Sequence, residues 1–182
     1  MQKRKLFLFA FCILLIIGLI IICLRNSMPQ IIFTYCEYNY KSQEIEKDHI
    51  FDAWAIDRDG NVYHSYDQLV DFKHGTGDYW KTGSINPVKA FEKYLKVKRM
   101  LISDRYQLDE DRYILWDCTY KGSKHWCAYG YKDGIETKVD LYHETNVQYF
   151  NENPEAEILA DWIISVIQCY DEYSPVLYLE DE

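Results

Sequence analysis

Two Asp-Gly pairs constrain this chain more than any other feature. Ala53-Trp54-Ala55-Ile56-Asp57-Arg58 and Asn61-Val62-Tyr63-His64-Ser65 flank Asp59-Gly60, and Trp126 to Lys132 meets Ile135 to Tyr142 through Asp133-Gly134. Asp-Gly between alternating runs is the strongest short-range hairpin signal, because the tight turn that matches the strand twist needs positive φ. Pairing about the second turn sets Trp126 opposite Leu141 and Ala128 opposite Val139, one apolar face that predicts a helix packed on it. A further strand with a bulge is predicted from Ile31 to Tyr40, where Phe33, Tyr35, Tyr38 and Tyr40 sit among β-branched and polar residues.

Asn153-Pro154 supplies a cap and an early proline, Glu155 and Glu157 complement the dipole, and Ile158, Leu159, Trp162, Ile163, Val166 and Ile167 follow at helical spacing. Asn86-Pro87 opens a second helix, with Phe91, Leu95 and Ile102 on one stripe and Lys89, Lys93 and Lys96 on the other. The basic stripe suits an anionic headgroup or an acidic partner, but its plainer reading is an ordinary solvated helix face. A short last strand is expected at Val176 to Leu179. The element order predicts an α+β domain, a mostly antiparallel sheet of hairpins packed against about two helices.

Ahead of this domain Lys3, Arg4 and Lys5 precede nineteen uncharged residues, Leu6 to Leu24, closed by Arg25 and Asn26. As a helix that run is roughly 28 Å long, close to the ~30 Å hydrocarbon core of a bilayer. The more basic flank predicts a cytoplasmic amino terminus. A cleaved signal peptide would want a small-x-small site, which Leu24 to Pro29 lacks, and a lipoprotein signal would want small residues before Cys23. The expected organisation is a cytoplasmic flank at residues 1–5, a transmembrane signal anchor at 6–24, a linker at 25–30 and one extracytoplasmic domain at 31–182. The membrane is thus an expected partner through the first helix.

Charge divides the chain in the same place. Four of the twenty Lys and Arg and none of the twenty-nine acids lie in the first twenty-five residues, which leaves −13 on the remainder. A domain that acidic is repelled by nucleic acid and favours a basic partner.

An oxidising location gives the cysteines meaning. Thr119 to Trp126 reads as a hairpin turning on Gly122-Ser123, which makes Cys118 and Cys127 a non-hydrogen-bonded pair with Cα atoms about 4.5 Å apart, a distance a disulfide tolerates. Cys36 and Cys169 are the second candidate pair by elimination. Cys118, His125, Cys127 and His143 lack the spacing of a structural zinc site, and no metal or other cofactor is implied. Asp57 to Asn61 lacks the register and closing Glu of a calcium loop, and Gly75-Thr76-Gly77 lacks the context of a phosphate loop. Asp109-Glu110-Asp111 and Glu180 to Glu182 read as a solvated loop and tail. No catalytic constellation is present, so an enzyme is the least favoured class.

The stretch from Phe51 to Tyr63, with Ala128 to Gly134 and Asn153-Pro-Glu-Ala-Glu157 opening a Trp-containing helix, resembles small exported or membrane-anchored proteins of Gram-positive gut bacteria. The resemblance covers most of the domain, is carried by turns and a helix cap, and implies location without mechanism. All seventeen tyrosines and five tryptophans lie beyond Arg25. They favour a binding or protein-interaction module for a peptide, protein or glycan. The alternative is an acidic, immunity-like inhibitor of a basic envelope toxin or hydrolase.

Overall fold

The computed structural model describes residues 11–13, 15, 16, 19, 23–39, 49–67, 70–115, 122–145 and 147–171. Strands β1 (Ile31–Asn39), β2 (His49–Asp57), β3 (Asn61–Ser65) and β4 (Trp80–Ser84) lead into helix α1 (Pro87–Ile102). Strands β5 (Leu108–Leu115), β6 (Gly122–Lys132), β7 (Ile135–Glu144) and β8 (Val147–Asn151) then lead into helix α2 (Glu155–Asp171). The strands form one antiparallel sheet in the order β4-β3-β2-β1-β6-β7-β8-β5, with both helices on one face. The α+β architecture is the expected one.

The expected transmembrane helix over Leu6 to Leu24 is corrected. Among the described residues no helix is long and apolar enough to cross a membrane. A crossing needs about twenty continuous helical residues, and residues 6–10, 14, 17, 18 and 20–22 of that run lie outside the described residues. Residues 25–30, read as a linker, are built into the domain. Met28 is buried in the core, Tyr94 Oη donates to Ser27 O at 3.0 Å, and Arg25 pairs with Asp59 at 2.6 Å.

Both Asp-Gly hairpins form. Asp133 and Gly134 have φ of 51° and 79°, the two positive values that a two-residue type I′ turn requires. Gly60 also has positive φ, and a Cβ there would lie 2.5 Å from Ile85 O, so the turn needs glycine for space as well. Ala128 faces Val139 as expected, but a bulge shifts the register beyond it, and Trp126 faces Tyr142 instead of Leu141. Leu141 remains buried in the same core as Trp126.

The expected Cys118 to Cys127 hairpin is corrected too. At Cys127, β6 pairs with Thr34 of β1 on one side and Asp140 of β7 on the other, so both edges are occupied. Gly122 and Ser123 lie within β6, paired with Asn39 and Tyr38, and not in a turn. Cys127 is a free thiol, and Cys118 lies outside the described residues. Cys36 and Cys169 are also free. No bridge joins them because Cys36 packs on the sheet face away from the helices, whereas Cys169 is exposed on α2 over the other face.

Helix α1 starts as expected: Asn86 Oδ1 accepts from Val88 N at 2.9 Å and Pro87 follows. Its buried stripe is Ala90, Tyr94, Val97 and Leu101, and Ile102 is 74% exposed. The i, i+4, i+7, i+11 series, with Ala90 and Tyr94 as members, outcompetes the bulkier stripe of Phe91, Leu95 and Ile102. The basic stripe is partly spent on the neighbouring helix. Lys93 lies over the Trp162 ring, Lys96 approaches Glu155 at 3.4 Å, and Arg99 donates to both Glu155 oxygens at 3.0 Å. Helix α2 is capped by Asn153, and Leu159, Ile163, Val166 and Ile167 bury against the sheet, while Ile158 is exposed. The strand expected at Val176 to Leu179 lies outside the described residues. The acids Asp109-Glu110-Asp111, read as a loop, belong to β5 at the sheet edge, a position where charge discourages further pairing.

Candidate functional site

On the helix-facing side of the sheet, seven adjacent strands each contribute one ring to a single row. Trp80, His64, Trp54, Tyr35, Trp126, Tyr142 and Phe150 are successive cross-strand partners from β4 to β8. His64 stacks on Trp54 with centroids 3.9 Å apart, and Tyr35, Trp126, Tyr142 and Phe150 follow at 5.0, 4.9 and 5.3 Å. These are the separations at which offset and edge-to-face aromatic pairs attract.

The next row along the strands is charged: Asp52, Glu37, Lys124 and Glu144 are partners across β2, β1, β6 and β7. The polar tip of a ring meets the carboxylate two residues away on its own strand, since side chains at i and i+2 share a face. Trp54 Nε1 donates to Asp52 at 3.0 Å, Tyr35 Oη to Glu37 at 2.9 Å and Tyr142 Oη to Glu144 at 3.4 Å. Burial, and then the Glu144 charge, push the Tyr142 phenol well above its ordinary range. Trp126 breaks the pattern. Its i−2 neighbour is Lys124, which carries donors only, and the buried Trp126 Nε1 has no hydrogen-bond partner.

At the β4 edge the row comes to the surface. Trp80 is 46% exposed and Tyr66 44%, their rings 5.8 Å apart, and both meet the His64 ring edge-on at 5.1 and 4.4 Å. Beneath them His64, 1% exposed, bonds Asp52 through Nε2 at 2.6 Å. Asp52 thus holds Trp54 and His64 together while its side chain stays 22% exposed. A His-Asp pair can serve as the base of a nucleophilic site, but catalysis of that kind needs a hydroxyl or thiol on the ring's other nitrogen. His64 Nδ1 is buried without a partner, and the adjacent Ser65 hydroxyl donates to Asp78 O at 2.5 Å. The arrangement is suited to contact, with two amphipathic rings and a reachable carboxylate beside an edge strand, Trp80 on β4, Tyr66 just after β3 and Asp52 on β2.

The opposite face holds the remaining candidates. Val70 and Phe72, on the connection from β3 to β4, cover Ile31, Ala53 and Ala55, with Cys36, Tyr63 and Tyr129 beside them. Gly75-Thr76-Gly77 closes that connection through paired backbone bonds between Asp71 and Thr76. Burial pushes the Cys36 thiol up to about 11 and Cys127 higher still, so neither is an activated nucleophile. His125 and His143 stack at 4.0 Å, and burial followed by the neighbouring His143 lowers His125 to about 4. Among the described residues no group of three or more His, Cys, Asp or Glu side chains could hold a metal ion. Asp57, read as part of a turn, is buried and accepts from Asp59 N, Asn61 N, Asn61 Nδ2 and Tyr63 Oη at 2.7 to 3.0 Å.

The aromatic row is not evident from the sequence, although Trp54 and Trp126 each lie on a strand whose turn is readable. No family model matches the chain, and no similar curated protein or solved structure was found.

Proposed function

We propose that this chain is a binding module that takes an extended peptide or protein segment along the β4 edge, with Tyr66 and Trp80 as its anchoring rings. The observation that carries this reading is the pair of half-exposed rings at the open end of an aromatic row that is otherwise buried or half-buried, above a carboxylate. Among the described residues strand β4 has only β3 as a sheet neighbour, which leaves its other side to an added strand except at Ser84 O, which accepts from Tyr170 Oη. Strand addition of this kind draws affinity from main-chain hydrogen bonds and specificity from alternate side chains. Tyr and Trp supply rigid contact area at low entropic cost. Asp52 and the net negative charge favour a basic side chain on the incoming segment.

Panning a random peptide display library against the chain, followed by affinity measurement with Trp80→Ala and Tyr66→Ala, tests the reading. Peptides are expected that lose about tenfold or more on either substitution, roughly 1.4 kcal/mol or more. Selected peptides that bind both variants as tightly as the parent would refute it. A partner held only at low ionic strength and indifferent to both rings would favour the alternative of an acidic inhibitor.

A further inference from the structure

A groove of about 400 Å3 opens at the Asp59-Gly60 end of the β2–β3 hairpin, the end opposite Tyr66. That volume lies within the range small-molecule sites occupy. Leu24, Met28, Pro87, Val88 and Phe91 make its walls apolar, and its charged groups are Arg25, Arg58 and Asp59. Arg25 Nη2 donates to Asp59 Oδ2 at 2.6 Å, which cancels one charge of each sign. Arg58 remains. Its Nη1 donates to Met28 O at 3.3 Å, and its Nε is buried without a partner. Asp57, the other carboxylate at this turn, accepts from the four donors around it. The first turn of α1, which contributes Pro87 and Val88, carries no acidic side chain. The groove is therefore apolar along its length, with Arg58 the one charged group of its lining that has no opposite-charge partner among the described residues.

We propose that this groove binds a single-chain amphiphile with a carboxylate head, the chemistry of a medium-chain fatty acid. The acyl chain lies along Met28, Val88 and Phe91, and the carboxylate accepts from the terminal nitrogens of the Arg58 guanidinium. The apolar walls supply most of the affinity and the guanidinium selects the charged head. This site is separate from the β4 edge and stands whether or not that edge binds a peptide.

Isothermal titration of the full chain with sodium decanoate, decanol and acetate tests the proposal. Decanoate is expected to saturate at one site and to bind at least about tenfold more tightly than decanol or acetate. Arg58→Gln should weaken decanoate about tenfold and leave decanol unchanged. Val88→Trp, which places a bulky ring at an exposed position of the wall, should abolish decanoate binding without lowering the melting temperature. Failure of decanoate to saturate, equal binding of decanol, or wild-type affinity in Val88→Trp would each overturn it.

Discussion

Removing the Asp57 carboxylate strands four donors at once, two backbone N–H groups of the turn, the Asn61 amide and the Tyr63 hydroxyl. The Tyr63 phenol stands at about 12, raised by burial and by the carboxylate it donates to. Asp57→Ala should cost roughly 3 kcal/mol in a denaturant titration, because buried donors left unpaired lose more than a bond's net worth. His125 acts in the opposite sense, as a buried base. In the unfolded chain its ring protonates near 6.5, whereas the folded ring holds out to about 4. Between these values the unfolded state binds more protons, so its contribution to stability is whole above pH 6.5 and lost as pH falls toward 4. The groups around it are His143, Lys138 and Asp140, with Ser123 Oγ 3.2 Å from Nε2. His125→Phe should reduce the loss of stability between pH 7 and pH 5 by on the order of 1 kcal/mol, a figure discounted for the water that still reaches the ring. Melting temperatures at the two pH values check it, and an unchanged difference would count against the assignment.

The turns and caps of the elements are legible in sequence because their chemistry is local. Asp133-Gly134 needs positive φ at both positions, and Asn86 and Asn153 need only the two or three residues after them. What β6 pairs with is a long-range matter. A local hairpin would place Cys118 beside Cys127, but β1, almost a hundred residues earlier, takes that edge through Phe33 to Asn39. For the same reason the aromatic row is invisible beforehand: it depends on the register of seven strands, of which a readable turn sets only two pairs. Helix α2 gives this level its own prediction. The ring of its C-terminal Tyr170 packs against Gly83, where a Cβ would come within 2.2 Å of it, and Tyr170 Oη donates to Ser84 O at 2.7 Å. Gly83→Val should displace the ring and destabilise the fold by about 1–3 kcal/mol. Amide exchange should rise in the last turn of α2 and in β4 while the start of α2, held by Arg99 and Glu155, keeps its protection. Uniform protection along α2 in the variant would show that Gly83 is not the seat of that contact.

At the scale of the whole molecule, the thiols on the strands of the sheet differ from that on helix α2. Cys36 and Cys127 lie on the adjacent strands β1 and β6, on the face away from the helices, and burial raises both well above the range in which thiolate forms near neutral pH. Cys169 is exposed on α2. A thiol reagent attacks thiolate and needs access, so the native chain should modify the exposed Cys12, Cys23 and Cys169 within the first minutes and leave Cys36 and Cys127 untouched. Strands at the centre of a sheet open only with the global transition, which makes the half-buried Cys36 and the buried Cys127 reporters of that transition. Alkylation across a urea gradient, resolved to individual cysteines by peptide mass mapping, should show Cys36 and Cys127 reacting together at the midpoint of the loss of tryptophan fluorescence. Reaction of Cys36 well below that midpoint would mean that β1 leaves the sheet before β6, and the eight strands would then not unfold as one unit.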